Sequence, residues 1–179
     1  MRLHWTGPVS GRDFSRANSG VRRETALALH YGLIMSLDIR ESIREGIVVL
    51  SLKGRLTVGE SNSVRDKVNE CAASGHVNVI LDLTDIDYVD STGLGTMVIC
   101  FTSLKKLGGA LKLVNPNKRN VELLLLTKLH TVFQVFTEVQ DAVNSFFPGR
   151  EIKHFDILQF VKEQEREEDE EAEKTSKPK

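Results

Sequence analysis

The sequence predicts an α/β fold in which helices pack on a mainly parallel or mixed β-sheet. Short runs with β-branched residues or strict alternation are followed, several times, by longer stretches with helical apolar spacing. This alternation of strands and helices is typical of a sheet with crossover helices. The 179 residues, 40% of them hydrophobic, are enough for one domain of about 100 to 150 residues with additional terminal segments.

A β-hairpin is expected at the start of the patterned region. Residues 37–42 alternate apolar and polar side chains, which predicts an edge strand. Residues 47–52, Ile-Val-Val-Leu-Ser-Leu, are rich in β-branched residues and end near Gly54. The turn-like residues 44–46 lie between the two runs, so the pair predicts a hairpin.

Two helices and a buried strand follow. Val64, Val68 and Cys71 have helical spacing within residues 60–73, and Gly75 follows at the expected C-terminal position. The short apolar run 77–81 predicts a strand, and the acidic stretch 82–89 after it is interpreted as a turn. A helix over 92–107 is predicted from the face formed by Leu94, Met97, Val98, Phe101 and Leu104.

The remaining elements are shorter and are separated by turn residues. Gly108-Gly109 ends the second helix, and Asn115-Pro116-Asn117 separates the next strand from the helix after it. The predicted elements are a strand at 110–114, a helix at 121–129, a strand at 132–136 and a helix at 138–147.

Three segments are expected along the chain. Residues 1–34 are Arg-rich, lack periodicity and precede Met35, so we expect a disordered N-terminal extension, a candidate for a misplaced start codon. Residues 35–148 form the folded domain. In residues 149–179, an apolar docking segment over 155–161 precedes eight acidic residues opposed only by Arg166, and we expect this acidic tail to be disordered.

Composition excludes several classes of function. A net charge of −1 gives no basic excess for direct nucleic-acid binding, and the apolar runs are far shorter than the roughly 20 residues of a membrane span. Cys71 and Cys100 lack ligand spacing and are expected to be reduced core residues, and the five histidines are singly placed. We expect a cytoplasmic protein with no metal and no cofactor.

The segment Asp-Ser-Thr-Gly-Leu-Gly, residues 90–95, stands where a strand passes into a helix. A serine hydrolase elbow needs glycine where this chain has Val89. Both phosphate-binding motifs are incomplete, because Gly95 is followed by Thr96-Met97-Val98. A side-chain oxygen of Asp90 or Ser91 can accept a free backbone N–H at the start of the helix, so either residue is a candidate N-cap. From the residues alone, capping is the favoured role of this segment.

Four carboxylates near this segment suggest a second kind of chemistry. Clustered oxygens at a strand end can hold Mg²⁺ in a small phosphoryl-transfer enzyme. No carboxylate follows the next strand at residues 114–117 to complete such a site, so a solvated turn is the favoured interpretation. The four residues are Asp82, Asp85, Asp87 and Asp90.

Two segments and the order of elements point to a known family. The segments are residues 79–84, Val-Ile-Leu-Asp-Leu-Thr, and residues 88–95, Tyr-Val-Asp-Ser-Thr-Gly-Leu-Gly. Together they closely resemble the STAS domain of bacterial anti-sigma factor antagonists. The resemblance covers about residues 37–147. It implies an α/β, STAS-type mixed sheet of four or five strands covered by about four helices.

The resemblance also implies a function, that of a regulatory binding protein without catalysis of its own. Such antagonists bind an anti-sigma factor that is also a serine kinase, and so free a sigma factor. Phosphorylation of the serine after the motif aspartate, here Ser91, ends binding, and a PP2C-type phosphatase restores it. Thr92 is the alternative acceptor. The implied partner-binding residues are Asp90, Ser91, Thr92, Gly93, Leu94 and Gly95.

One departure from the family pattern keeps a second function open. Many antagonists carry Gly-Glu-Leu-Asp near the end of the second strand, whereas this chain has Gly54-Arg55-Leu56-Thr57. The alternative is a STAS accessory subunit of a transporter or of a stress-signalling complex.

Overall fold

The computed structural model describes residues 37–153, 155–163 and 166. The predicted N-terminal extension, residues 1–34, lies outside the described residues, as does most of the predicted acidic tail. Within the described residues, no helix combines the length and the apolar character needed to cross a membrane.

A five-stranded mixed sheet forms the centre of the fold, as the sequence predicts. Its strands lie in sequence order. The first pairs antiparallel with the second, and every later pair is parallel. The strands are β1 (Asp38–Arg44), β2 (Ile47–Leu56), β3 (Asn78–Val89), β4 (Ala110–Val114) and β5 (Gln134–Phe136).

Three helices connect the parallel strands, because a parallel pair needs a crossover, and a fourth helix follows the last strand. Each of the four helices predicted over 60–147 is present in the structure, with bounds that differ by a few residues. They are α1 (Ser61–Ala73), α2 (Ser91–Lys106), α3 (Lys118–Leu126) and α4 (Val139–Asn144). A 3₁₀ turn at Leu129–Thr131 precedes β5, and residues 157–163 are also helical.

Each face of the sheet has its own apolar core. Successive side chains of a strand point to opposite faces, so Val48 and Leu50 join one cluster while Ile47 and Val49 join the other. Helices α1, α2 and α3 pack on the first cluster, and α4 packs on the second. Ile157 is buried against the first cluster, together with Phe155, Phe160 and Val161.

The hairpin between β1 and β2 is confirmed, and its turn explains the tight connection. Glu45 and Gly46 have φ values of 52° and 81°, and they join the register pair Arg44 and Ile47. Positive φ at both central residues is the requirement of a type I′ turn, whose twist matches that of the flanking strands.

The acidic stretch 82–89 is not a turn, and that interpretation was wrong. Strand β3 continues through it to Val89. Leu83, Ile86 and Val89 enter the first core cluster, and two register irregularities with β2 accommodate their spacing of three residues. Burial of these apolar side chains therefore holds the acidic residues in a strand.

A lysine is buried between β4 and α4. Lys112 is only 6% exposed, and its Nζ donates hydrogen bonds to the carbonyl oxygen and the Oγ of Ser145 at 3.0 and 2.6 Å. Nζ also lies 3.8 Å from the ring centroid of Phe146. Burial lowers the pKa of Lys112 from 10.5 to about 8, because desolvation disfavours the charged amine.

We expect Lys112 to make the free energy of unfolding depend on pH in the alkaline range. Between about pH 8 and pH 10 the unfolded chain binds more protons at Lys112 than the folded chain, so the free energy of unfolding rises with pH. Lys112→Met lacks this dependence. Urea unfolding of both proteins across that range should show the wild type gaining stability relative to the variant, and parallel profiles would contradict the assignment.

Candidate functional site

The predicted site lies where β2 and β3 end at the same edge of the sheet. Leu56 and Val89 are the last register pair of these parallel strands. The Asp90 N–H donates a hydrogen bond to the Leu56 carbonyl at 3.1 Å, and α2 begins with the next residue. The carboxyl end of the sheet thus delivers the Asp-Ser-Thr-Gly segment directly to the start of a helix.

Asp90 is the N-cap of α2. Its backbone is extended, with φ −93° and ψ 178°, and its Oδ1 accepts a hydrogen bond from the Gly93 N–H at 2.7 Å. Its Oδ2 accepts a second hydrogen bond, from the Val58 N–H at 3.2 Å. The sequence left Asp90 and Ser91 as equal candidates, and the structure assigns the cap to Asp90.

Ser91 and Thr92 are exposed in the first turn of α2. Within the described part of the chain, the Ser91 hydroxyl has no hydrogen-bond partner. The first turn carries no acidic side chain, and its backbone N–H groups make it favourable for negative charge. Since Asp90 performs the capping, the Ser91 hydroxyl is available for chemistry.

The two glycines have different roles. At Gly93 a Cβ would overlap the Leu56 carbonyl oxygen and stand 2.8 Å from Leu56 Cγ, whereas a Cβ at Gly95 would meet open space. Gly93 and Leu94 are buried. Gly93 therefore lets α2 approach the end of β2, while Gly95 leaves the outer face of the helix without a projecting side chain.

Two exposed aliphatic side chains border these small residues. Val58 is 71% exposed and Ile99 49% exposed. Ile99 follows Gly95 by four residues, so both lie on one face of α2. We call Val58, Ser91, Thr92, Gly95 and Ile99 the switch surface. Sequence reasoning missed Val58 and Ile99; only the four-residue spacing of Ile99 from Gly95 could have indicated one of them.

Two of the four carboxylates considered for Mg²⁺ accept hydrogen bonds within the fold. Asp82 accepts hydrogen bonds from Ser51 Oγ at 3.2 Å and from Thr84 Oγ1 at 2.6 Å, and Asp90 is the helix cap. Among the described residues, no three His, Cys, Asp or Glu side chains are placed to hold a metal ion. The geometry gives the phosphoryl-transfer alternative no support.

Both cysteines are free and buried, as predicted. Desolvation raises the pKa of the Cys100 thiol to about 11 and that of Cys71 above its usual value. The nucleophilic form of cysteine is the thiolate, which burial disfavours. Cys71 and Cys100 are therefore core residues.

We expect Asp90→Ala to destabilise the fold much more than Ser91→Ala. The first change removes the cap hydrogen bond, at a cost of about 0.5 to 2 kcal/mol, and the contact with Val58. The second removes an exposed hydroxyl and should stay within about 0.5 kcal/mol. Urea unfolding of the two variants measures the difference, and equal losses would contradict the cap assignment.

The glycines form a matched pair for a second measurement. Gly93→Ala should destabilise by about 1 to 3 kcal/mol because the new Cβ forces α2 away from Leu56. Gly95→Ala should stabilise by up to about 1 kcal/mol, since alanine is the better helix former. Thermal unfolding should shift in opposite directions, and a shared direction would show that the close approach at Gly93 is unimportant.

Comparisons with known proteins match the folded part of the chain. The STAS domain family model matches residues 38–142. The anti-sigma-B factor antagonist of Bacillus subtilis is 29% identical over 109 residues, which are 61% of this chain and 99% of that protein.

Solved structures have the same fold. The crystal structure of TM1081 from Thermotoga maritima is 25% identical with a TM-score of 0.57, over 60% of this chain and 92% of that chain. The unphosphorylated anti-sigma factor antagonist SpoIIAA, 20% identical, gives a TM-score of 0.54 over 61% and 96%. Because the family model matches more than half of the chain, the protein belongs to the STAS domain family.

Proposed function

We propose that this protein is an anti-sigma factor antagonist. Its unphosphorylated form binds an anti-sigma factor that is also a serine kinase, and so frees a sigma factor. Phosphorylation of Ser91 ends this binding, and a PP2C-type phosphatase restores it. The protein acts in the cytoplasm, by binding and as a kinase substrate, without catalysis of its own.

The observation that carries the proposal is the exposed Ser91 hydroxyl at the start of α2. The Asp90 carboxylate accepts the two side-chain hydrogen bonds at the junction, so modification of Ser91 would disturb neither. Because Gly95 has no side chain beyond a hydrogen, a catalytic loop of the kinase can approach Ser91 from the outer face of α2. The named relative, an anti-sigma-B factor antagonist, supports the same role.

Ser91 is preferred to Thr92 as the acceptor. Both hydroxyls are exposed, so exposure does not distinguish them. The preference comes from the family resemblance, in which the residue directly after the motif aspartate is phosphorylated. Thr92 is also β-branched, so its hydroxyl has less rotational freedom to meet a phosphoryl group.

Phosphorylation would act at the surface and leave the fold intact. A phosphoserine adds about 1.5 to 2 negative charges, and the N–H groups and dipole of a helix N-terminus favour that charge. Helix α2 should therefore persist. The charged and hydrated group would stand on the switch surface, where docking of a partner would require its desolvation. Binding would be lost for this reason.

The proposal predicts a single phosphate on Ser91. The wild type and the matched variants Ser91→Ala and Thr92→Ala are incubated with ATP and a lysate of the source organism, and intact mass and peptide mapping locate the phosphate. We expect one added phosphate in the wild type and in Thr92→Ala, and none in Ser91→Ala. Circular dichroism of the phosphorylated protein should show an unchanged helix content.

Two results would overturn this assignment. Phosphate on Thr92 that persists in Ser91→Ala would move the acceptor by one residue. No phosphate on any of the three proteins, in a lysate that labels other substrates, would leave Ser91 without a switch role and favour the accessory-subunit alternative.

A further inference from the structure

The guanidinium groups of two arginines lie over the ring of one tyrosine, near the end of the strand that leads to Ser91. The guanidinium carbon of Arg119 lies 4.4 Å from the ring centroid of Tyr88, and that of Arg55 lies 5.2 Å from it. Cations held this close to an aromatic ring are attracted by its π-electrons. We call these three residues the guanidinium stack.

The stack is held rigidly beside the end of β3. Arg55 and Tyr88 are register partners on neighbouring strands. Arg119 stands in the first turn of α3, whose N-cap Asn117 donates hydrogen bonds from Nδ2 to the carbonyls of Ile86 at 2.7 Å and Asp87 at 3.3 Å. The guanidinium groups are thus positioned before any partner arrives, which lowers the entropic cost of binding.

Arg119 occupies a position that does not favour it for stability. It and Lys118 are the first two residues of α3, and the first turn has no acidic side chain. The positive end of the helix dipole repels cations. Among the described residues, Arg119 also has no carboxylate within ion-pairing distance. The contact with the Tyr88 ring offsets part of this cost, and residues that break a local rule are expected at functional sites.

The chemistry of the stack fits a carboxylate. Stacking uses the flat face of a guanidinium, while the fork of N–H donors at its edge is the part that pairs with a carboxylate in two parallel hydrogen bonds. Arg119 is exposed and Tyr88 is half-buried. Arginine and tyrosine are also the residue types that most often supply the binding energy of protein interfaces.

The neighbouring charges favour an acidic polypeptide over a polyphosphate. Asp85 and Asp87 are exposed on the same strand as Tyr88, and they would repel the continuous charge of a nucleic acid. A single carboxylate side chain can reach the stack while the rest of its segment avoids these two acids.

We infer that the guanidinium stack binds an acidic segment of the anti-sigma partner, with a carboxylate of that partner paired to Arg119. The inference rests on the proposed function, whose switch surface begins three residues after Tyr88. The stack would determine which kinase docks, and the phosphorylation state of Ser91 would determine whether that kinase can dock. Arg119 is accordingly a specificity-determining residue.

The first experiment uses the kinase activity that labels Ser91. Initial rates of labelling are compared for wild type, Arg119→Glu, Arg119→Lys and the charge-matched control Lys153→Glu, an exposed residue outside both surfaces. Arg119→Glu should lower the rate at limiting protein by about tenfold, and Arg119→Lys should retain part of it. Lys153→Glu should stay within about twofold of wild type. Rates equal to wild type in Arg119→Glu would overturn the inference.

A second measurement does not depend on the kinase. A peptide with one glutamate among neutral residues, Gly-Ser-Glu-Ser-Gly with blocked termini, is titrated into the full chain, and backbone amide shifts are followed by NMR. We expect shifts concentrated in residues 54–56, 87–89 and 118–120, absent in Arg119→Glu and retained in Lys153→Glu. If Ser91 is never labelled, the proposed function fails while this result still tests the stack. Scattered shifts would overturn the inference. Binding of the peptide only after removal of residues 163–179 would also overturn it, because the chain's own acidic tail would then be the occupant of the stack.

Discussion

The Asp90 carboxylate is the interaction on which the site depends. One oxygen caps α2 at Gly93 and the other holds the loop after β2 at Val58, while the Asp90 N–H joins the end of β2 at Leu56. A strand end, a loop and a helix start are therefore fixed by one side chain and its backbone. The two hydrogen bonds to the carboxylate are charge-assisted, so each is stronger than a neutral hydrogen bond. The residues of the switch surface are held in place by these contacts.

Much of the fold could be predicted because apolar periodicity records which side chains are buried. Val64, Val68 and Cys71 identified α1 from spacing alone, and these residues do lie in the first core cluster. The hairpin was equally accessible, since Gly46 supplies one of the two left-handed residues of its turn. The family resemblance implied a mixed sheet of four or five strands, and the structure has five.

The features that were missed depend on contacts between distant residues. Acidic residues in 82–89 suggested a turn, because nothing local shows that Leu83 and Ile86 reach a core across a sheet with irregular register. The second contact of the Asp90 carboxylate is with Val58, which is 32 residues away, and the local sequence does not indicate it. Arg55 was noted only as a departure from the family pattern, and its contact with Tyr88 became visible once the register was known.

The position of Ser91 on a formed helix has a consequence for how it can be recognised. The surface around its hydroxyl combines Val58, from the loop after β2, with Gly95 and Ile99, from the outer face of α2. A short linear peptide with the same Asp-Ser-Thr-Gly sequence would lack Val58 and would not hold a helical backbone in water. Under the proposed function, recognition of Ser91 would be conformational, and a partner that bound this surface would distinguish the folded protein from its unfolded chain.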